Sequence, residues 1–191
     1  YSDRRFAMRR TRRGLQRLGM VASVLLAGCG PGDHHIGAPG RVEIGAPAPE
    51  YRAVSLAGDS VSLTGERGRV VLLNVWATWC HPCRAEIPEL LEIRETYKSR
   101  GFELIGVSVD AGGADNDIRA FMAEFGMSYP IWRDPDERVS AQFLIVGVPA
   151  TFLIDRNGVL RWRKTGPVAR GDSTLKAAIE RALNGSIPAN D

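Results

Sequence analysis

The sequence predicts an α/β domain in which helices flank a mixed central sheet, and three observations support this prediction. Apolar strand-like segments alternate with helical segments from residue 69 to residue 143. A hairpin pattern precedes this alternating part, which adds an N-terminal β-hairpin. Two further strands joined by a tight turn and a last helix follow it, and this arrangement indicates a mixed sheet rather than an all-parallel one.

The N-terminal half of the domain supplies the hairpin, one buried strand and one amphipathic helix. Residues 51–54 and 60–63 are strand-like and flank a Gly58-Asp59 turn, which predicts the hairpin. Residues 69–75 are nearly all apolar, as a strand buried on both faces requires. Residues 83–97 place apolar side chains at helical spacing with charged residues between them, so we expect a helix that packs on the sheet.

The C-terminal half continues the alternation and then ends in a second hairpin and a helix. The predicted segments are a strand over 102–109, a helix over 117–125, a strand over 129–132, a helix over 136–143, strands over 150–154 and 159–164, and a helix from Asp172 or Ser173 to about residue 183. Asn157-Gly158 is the dipeptide that favours a tight hairpin turn, so it predicts antiparallel pairing of the last two strands.

Positive charge is concentrated at the N-terminus. Residues 1–28 contain seven Arg and a single acidic residue, whereas the remaining chain has 18 basic and 21 acidic residues. The part that follows residue 28 is therefore mildly acidic and lacks the basic surface that nucleic-acid binding requires. We expect no nucleic-acid partner.

Residues 1–28 have the pattern of a removable export signal of the lipoprotein type, with a predicted start at Met8. An Arg-rich stretch precedes an apolar run over 18–27, which is too short to span about 30 Å of hydrocarbon. The run ends in Leu26-Ala27-Gly28-Cys29, which resembles a bacterial lipobox, so Cys29 is the predicted lipidation site. An uncleaved anchor with a chance Cys is the alternative, and the export route, Sec or twin-arginine, stays open.

A flexible tether and a folded domain follow the signal. Residues 29–44 are rich in Gly, Pro and Ala without periodicity, which is typical of a tether. His34 and His35 lie in it with no third ligand nearby, so they predict a solvated pair, and we expect no metal site. The folded domain is predicted over 45–185, with a short tail over 186–191.

The other two cysteines, Cys80 and Cys83, lie between the buried strand and the first long helix. A helix N-terminus stabilises a thiolate, so Cys80 is the predicted attacking sulfur and should be accessible. Cys83, one turn further and more buried, would resolve the mixed disulfide. A structural disulfide would gain little from so short a loop, and a zinc site would need more ligands than this segment offers.

Three separated motifs resemble the thioredoxin superfamily, and within it the membrane-tethered TlpA/ResA-like thiol-disulfide oxidoreductases. They are residues 45–49, residues 71–86 and residues 147–155. The resemblance implies a thioredoxin-like fold in which residues 110–130 form a central helix-strand insertion. It also implies that Pro149 follows a cis peptide bond beside the dithiol, and that the backbone at Val148 pairs with an extended substrate segment.

The resemblance further implies a proton-handling role for Glu86, three residues after Cys83. Asn74 occupies the position where thioredoxins carry a buried aspartate, and an amide cannot accept the proton of Cys83. We expect Glu86 to be partly buried with a raised pKa, although a surface glutamate favoured by the helix N-terminus is the alternative. The predicted substrate-binding residues are Trp79, His81, Pro82, Val148 and Pro149.

Together these features predict an exported, lipid-anchored thiol-disulfide oxidoreductase on the periplasmic side of the cell envelope. We expect it to act on protein disulfides, more as a reductant than as an oxidant, with apocytochrome c as one substrate that the resemblance suggests. A membrane thiol transporter would donate electrons. We expect a monomer with no cofactor beyond the Cys80–Cys83 disulfide. A metallochaperone and a thiol peroxidase are the alternatives.

Overall fold

The computed structural model describes residues 42–185. The predicted signal with Cys29, the predicted tether up to residue 41, and the predicted tail over 186–191 lie outside the described residues. Val42, near the end of the predicted tether, is buried, and its carbonyl accepts a hydrogen bond from the Arg163 guanidinium at 2.8 Å. Packing against the domain therefore includes residues before the predicted boundary at Gly45.

The described residues form seven strands and four α-helices. The strands are β1 (Arg52–Ser55), β2 (Ser60–Ser62), β3 (Val70–Trp76), β4 (Phe102–Ser108), β5 (Ile131–Arg133), β6 (Ala150–Ile154) and β7 (Leu160–Thr165), and the helices are α1 (His81–Tyr97), α2 (Asp115–Phe125), α3 (Arg138–Phe143) and α4 (Ser173–Leu183). Each predicted segment forms an element of the expected type. Leu63 belongs to a 3₁₀ turn rather than to β2, and β5 begins two residues later than predicted.

The strands form one mixed sheet in the order β2-β1-β5-β4-β3-β6-β7. The pairs β3/β4 and β4/β5 are parallel, and all other pairs are antiparallel. The predicted mixed sheet is confirmed, and the N-terminal hairpin extends it at one edge by pairing β1 with β5.

Aromatic side chains cover both faces of the sheet. Trp76 of β3 stacks on Phe121 of α2 with ring centroids 4.9 Å apart, and Phe152 of β6 packs against Phe143 of α3 at 4.8 Å. Because successive strand residues face opposite sides, and Phe152 pairs with Leu73, these two contacts lie on opposite faces. The sequence predicts Phe121, Phe125 and Phe143 as core residues, and in the structure Phe121 and Phe143 are buried while Phe125 is half-buried against the core.

The topology brings three chain segments to the same end of the strands, the carboxyl end of β3 and β4. The turn to Cys80 follows β3, and Asp110 follows the parallel strand β4, so both lie at the carboxyl end of these strands. The antiparallel strand β6 begins at this end, because Ala150 pairs with Val75. None of the helices in residues 42–185 has the length and apolar composition needed to cross a membrane.

Candidate active site

Cys80 occupies the N-cap position of α1. Its backbone is extended, with φ −82° and ψ 102°, and its sulfur accepts a hydrogen bond from the backbone amide of Cys83 at 3.2 Å. This amide is one of the donors that a helix N-terminus leaves without an intrahelical partner. Pro82, in the first turn, removes a donor that the helix does not use. The side chain of Cys80 thus takes the place of an ordinary N-cap acceptor.

Cys80 and Cys83 form a disulfide, with their Cα atoms 5.3 Å apart. Cys83 is 1% exposed, and Cys80 is only 4% exposed. The expected difference between a buried and an accessible cysteine is therefore small in this oxidised form. Access to the Cys80 sulfur therefore depends on the side chains that surround the turn, and a place at the start of a helix does not by itself make the sulfur accessible.

Glu86 lies on α1, one turn beyond Cys83, and is 1% exposed. Its Oε1 accepts a hydrogen bond from the Asn74 side chain at 2.8 Å, and its Oε2 accepts one from the backbone amide of Val168 at 2.7 Å. Burial raises the pKa of Glu86 to about 7, while the two hydrogen bonds and the positive charge of Lys164 oppose this rise. The carboxyl group is therefore suited to gain and lose a proton near neutral pH.

Asn74 has a role that the sequence did not indicate. Its amide nitrogen donates to Thr151 Oγ1 at 3.0 Å as well as to Glu86, so it links β3, β6 and α1. We refer to Asn74, Glu86, Thr151 and Val168 as the polar floor. The sequence could have indicated that Asn74 has a buried partner, because an Asn inside an apolar strand must find one, but it does not show which residue that partner is. The contribution of Val168 left no signal, since it comes from the backbone.

The Val148–Pro149 peptide bond is cis, which confirms that implication of the resemblance. Pro149 is buried and Val148 is half-buried. The carbonyl of Pro149 accepts a hydrogen bond from the Gly166 amide at 2.9 Å, so the bend is tied to the end of β7. Because Ala150 pairs with Val75, the Val148–Pro149 bend lies at the carboxyl end of β3, where the turn to Cys80 begins.

The remaining predicted substrate-binding residues are exposed around the turn. Trp79 is 68% exposed, and His81 and Pro82 are also exposed. We refer to Trp79, His81, Pro82 and Val148 as the rim of the dithiol. The segment before Pro149 adds two exposed apolar side chains that sequence reasoning missed, Leu144 at 69% and Val146 at 98%. An isolated apolar residue in a sequence does not reveal whether tertiary packing will cover it.

Within residues 42–185, no three His, Cys, Asp or Glu side chains form a group that could hold a metal ion. The chemically active groups that the described structure brings together are the two sulfurs and the Glu86 carboxyl. This arrangement supports proton-coupled thiol-disulfide exchange.

Comparison with known proteins agrees with this geometry. The AhpC/TSA family matches residues 44–163. "Thiol-disulfide oxidoreductase ResA" of Geobacillus kaustophilus is 35% identical over 147 residues, which cover 77% of this chain and 80% of that protein. "Thioredoxin-like protein YneN" of Bacillus subtilis is 28% identical over 140 residues, which cover 73% of this chain and 81% of that protein.

Solved structures show the same fold. The thioredoxin domain of a thiol-disulfide oxidoreductase from Bacteroides vulgatus matches with a TM-score of 0.64 and 29% identity over 73% of this chain and 98% of that chain. A thiol:disulfide interchange protein of the thioredoxin family from Chlorobium tepidum matches with a TM-score of 0.60 and 29% identity over 72% and 95% of the two chains. The predicted thioredoxin-like fold is confirmed.

Proposed function

The chain belongs to the AhpC/TSA family as a ResA-like thiol-disulfide oxidoreductase, and from this membership we propose that it reduces disulfides of exported proteins outside the cytoplasm. The observation that carries the proposal is the pairing of Cys80 at the N-cap of α1 with a buried carboxyl one turn beyond Cys83. This pairing provides a stabilised thiolate together with a group that handles the proton of the second thiol.

In the reductive direction, the Cys80 thiolate attacks one sulfur of a substrate disulfide. A mixed disulfide forms, and the first substrate sulfur leaves as a thiolate. Cys83 then loses its proton and attacks Cys80, which releases the second substrate sulfur and closes the Cys80–Cys83 disulfide. Two electrons pass from the dithiol to the substrate.

Glu86 is the proposed acceptor of the Cys83 proton. The hydrogen bonds from the amides of Asn74 and Val168 favour the ionised carboxylate of Glu86, whereas burial favours the protonated form. These opposing influences keep the pKa of Glu86 at about 7, so the carboxylate accepts a proton during resolution and returns it to solvent afterwards.

The proposed electron donor is a thiol transporter of the membrane, which restores the Cys80–Cys83 dithiol by the same exchange chemistry. Apocytochrome c is a proposed substrate, because the resemblance to TlpA/ResA-like oxidoreductases suggests it. We propose that the protein acts as a monomer and needs no cofactor beyond its own disulfide. The exposed rim, with Trp79 beside Cys80, supports contact with a protein substrate rather than with a small enclosed molecule.

The proposed location is the outer side of the cytoplasmic membrane or the periplasm, with a lipid anchor on Cys29. The support is the Arg-rich and apolar stretch that ends in Leu26-Ala27-Gly28-Cys29. Growth with a radiolabelled fatty acid should label the full chain, and Cys29→Ser should abolish the label and release the protein from the membrane fraction. Equal labelling of both forms would contradict lipidation at Cys29.

A redox titration of the full chain against glutathione, combined with an insulin reduction assay, tests the function. Reduction potentials in this fold run from about −270 mV for thioredoxin to about −120 mV for a strong oxidant. We expect a value near the thioredoxin end and turnover of insulin disulfides. A value near the oxidising end would overturn the reductive direction. Consumption of peroxide or stoichiometric copper binding by Cys80 and Cys83 would favour a peroxidase or a metallochaperone instead.

A further inference from the structure

Thr78, two residues before Cys80, is held through all of its polar groups. Its amide donates to the two carboxylate oxygens of Asp110 at 3.1 and 3.2 Å, and its hydroxyl donates to Asp110 Oδ1 at 2.6 Å. Its carbonyl accepts a hydrogen bond from the Arg84 guanidinium at 3.3 Å. The turn that leads to Cys80 is therefore held by hydrogen bonds to both Asp110 and Arg84.

Asp110 is itself fixed. It is 5% exposed, and its Oδ2 accepts a hydrogen bond from the Ser108 hydroxyl at 2.7 Å, while its own amide donates to that hydroxyl at 3.2 Å. A buried carboxylate with this many donors has one orientation, because any rotation would leave a buried polar group without a partner. Asp110 lies two residues beyond the end of β4, at the start of the central insertion.

Arg84 connects the same turn to the helix of the insertion. Its guanidinium lies 5.0 Å from the ring centre of Phe121 and 5.6 Å from that of Phe125, both on α2. It also lies 3.7 Å from a carboxylate oxygen of Glu124. The planar guanidinium can stack on the rings and donate to Thr78 at the same time, which the point charge of a lysine cannot do.

We propose that Asp110 and Arg84 are positioning residues for Cys80, and that the insertion between β4 and β5 serves the active site by holding Thr78. This inference rests on the proposed function, in which Cys80 is the attacking sulfur. In the oxidised protein the disulfide itself ties Cys80 to α1. Once the disulfide is reduced, that bond is gone, and the contacts of Thr78 keep the Cys80 sulfur over the N-terminus of the helix.

A looser turn would remove the thiolate from the helix N-terminus and from the Cys83 amide. The pKa of the Cys80 thiol would rise, since both interactions favour the thiolate. The reduced form would lose stability relative to the disulfide, and the equilibrium with glutathione would shift towards the oxidised protein. Neither effect is a general loss of folding stability, so both separate a positioning role from a merely structural one.

Thr78→Val tests the inference, because it removes the hydroxyl contact with Asp110 while keeping the shape and charge of the turn. The rate of Cys80 alkylation by iodoacetamide is measured against pH on the reduced full chain, and the glutathione equilibrium is measured in parallel. We expect about threefold less Cys80 thiolate below its pKa and an equilibrium shifted about threefold, which is ~14 mV for two electrons. Arg84→Lys should act in the same direction.

Thr78→Ser restores the hydroxyl and should restore both values. Thr96→Val is the matched control, since Thr96 makes its hydroxyl contact with Glu92 at the far part of α1. Unchanged alkylation and glutathione values in Thr78→Val, even with a lower melting temperature, would overturn the positioning role alone. Preferential alkylation of Cys83 in the parent chain would overturn the proposed function as well.

Discussion

The polar floor is buried and the rim of the dithiol is exposed, and the two groups differ in how far packing determines them. Glu86, Asn74 and Thr151 are 1%, 2% and 0% exposed, and hydrogen bonds of 2.7 to 3.0 Å join the floor. On the rim, Trp79 is 68% exposed. Changes in the floor should therefore alter proton chemistry and stability together, whereas changes in the rim should alter substrate binding and leave stability nearly intact.

The largest effect is expected when Cys83, one turn before Glu86 on α1, is removed. In Cys83→Ser, the Cys80 thiolate still attacks a substrate disulfide, but no second thiol can resolve the adduct, so a mixed disulfide should accumulate and multiple turnover should cease. Mass spectrometry of the non-reduced protein after incubation with insulin measures the adduct. Cys80→Ser is the control and should form no comparable adduct. An adduct of equal yield on Cys83 would contradict the assignment of Cys80 as the attacking sulfur.

The next largest effect is expected at Glu86. Its pKa is about 7 in the folded protein against an ordinary value of 4.5, so the folded protein keeps a proton that the unfolded chain loses between these pH values. The free energy of unfolding should therefore fall as pH rises from 4.5 to 7, by up to ~3 kcal/mol. Glu86→Gln should remove this fall and slow insulin reduction about 100-fold.

Urea unfolding at several pH values measures this difference between the parent chain and Glu86→Gln. Glu92→Gln is the control, because Glu92 is exposed on the same helix and should leave the pH dependence of the parent in place. Parallel pH dependences for the parent chain and Glu86→Gln would show that folding does not raise the pKa of Glu86. The proton-handling role would then be lost.

A smaller effect is expected from a change in the hydrogen bonds of the floor. Asn74→Leu leaves Glu86 Oε1 without its donor, so the pKa of Glu86 should rise above 7, and the alkaline shift should appear in the pH profile of insulin reduction. Stability should drop by about 1–3 kcal/mol. Thr151→Val removes only the Asn74–Thr151 bond and should leave the pH profile in place. A profile that shifts equally in both variants would contradict the assignment.

The smallest effect on stability is expected at the rim. Trp79→Ala removes a side chain that is largely in solvent, so the free energy of unfolding should change by less than about 0.5 kcal/mol. The KM for insulin should rise, while alkylation of Cys80 by the small reagent iodoacetamide should stay the same. Unchanged kinetics with insulin would show that Trp79 does not contact the protein substrate, and a large loss of stability would show that its side chain contributes to packing of the domain.

Most of the fold could be predicted because it depends on local patterns. The apolar run of β3 and the helical spacing after Cys83 predict a strand and a helix, and the dithiol between them predicts redox chemistry. The floor was predicted only in part. Glu86 was identified by resemblance, whereas the contacts of Asn74 with Glu86 and of Val168 with the same carboxyl join residues far apart in the chain.

The sequence did not predict the hydrogen bonds that hold Thr78, for a related reason. The sequence places Asp110 directly after the strand predicted over 102–109, but nothing in the sequence between Thr78 and Asp110 shows that the Asp110 carboxylate meets an amide 32 residues earlier. Parallel pairing of β3 and β4 brings their carboxyl ends together, and only this pairing places the two residues in contact. The exposure of Leu144 and Val146 likewise depends on which neighbours the folded chain provides.

The amino-acid order alone determined where strands and helices form and which two thiols stand at a helix start, since backbone preference and side-chain periodicity act over a few residues. The folded molecule decided the protonation behaviour of Glu86, the partners of Asn74 and the restraint on Thr78. A pKa and a buried hydrogen bond depend on the local dielectric and on groups brought close from distant strands, and no short segment carries that information.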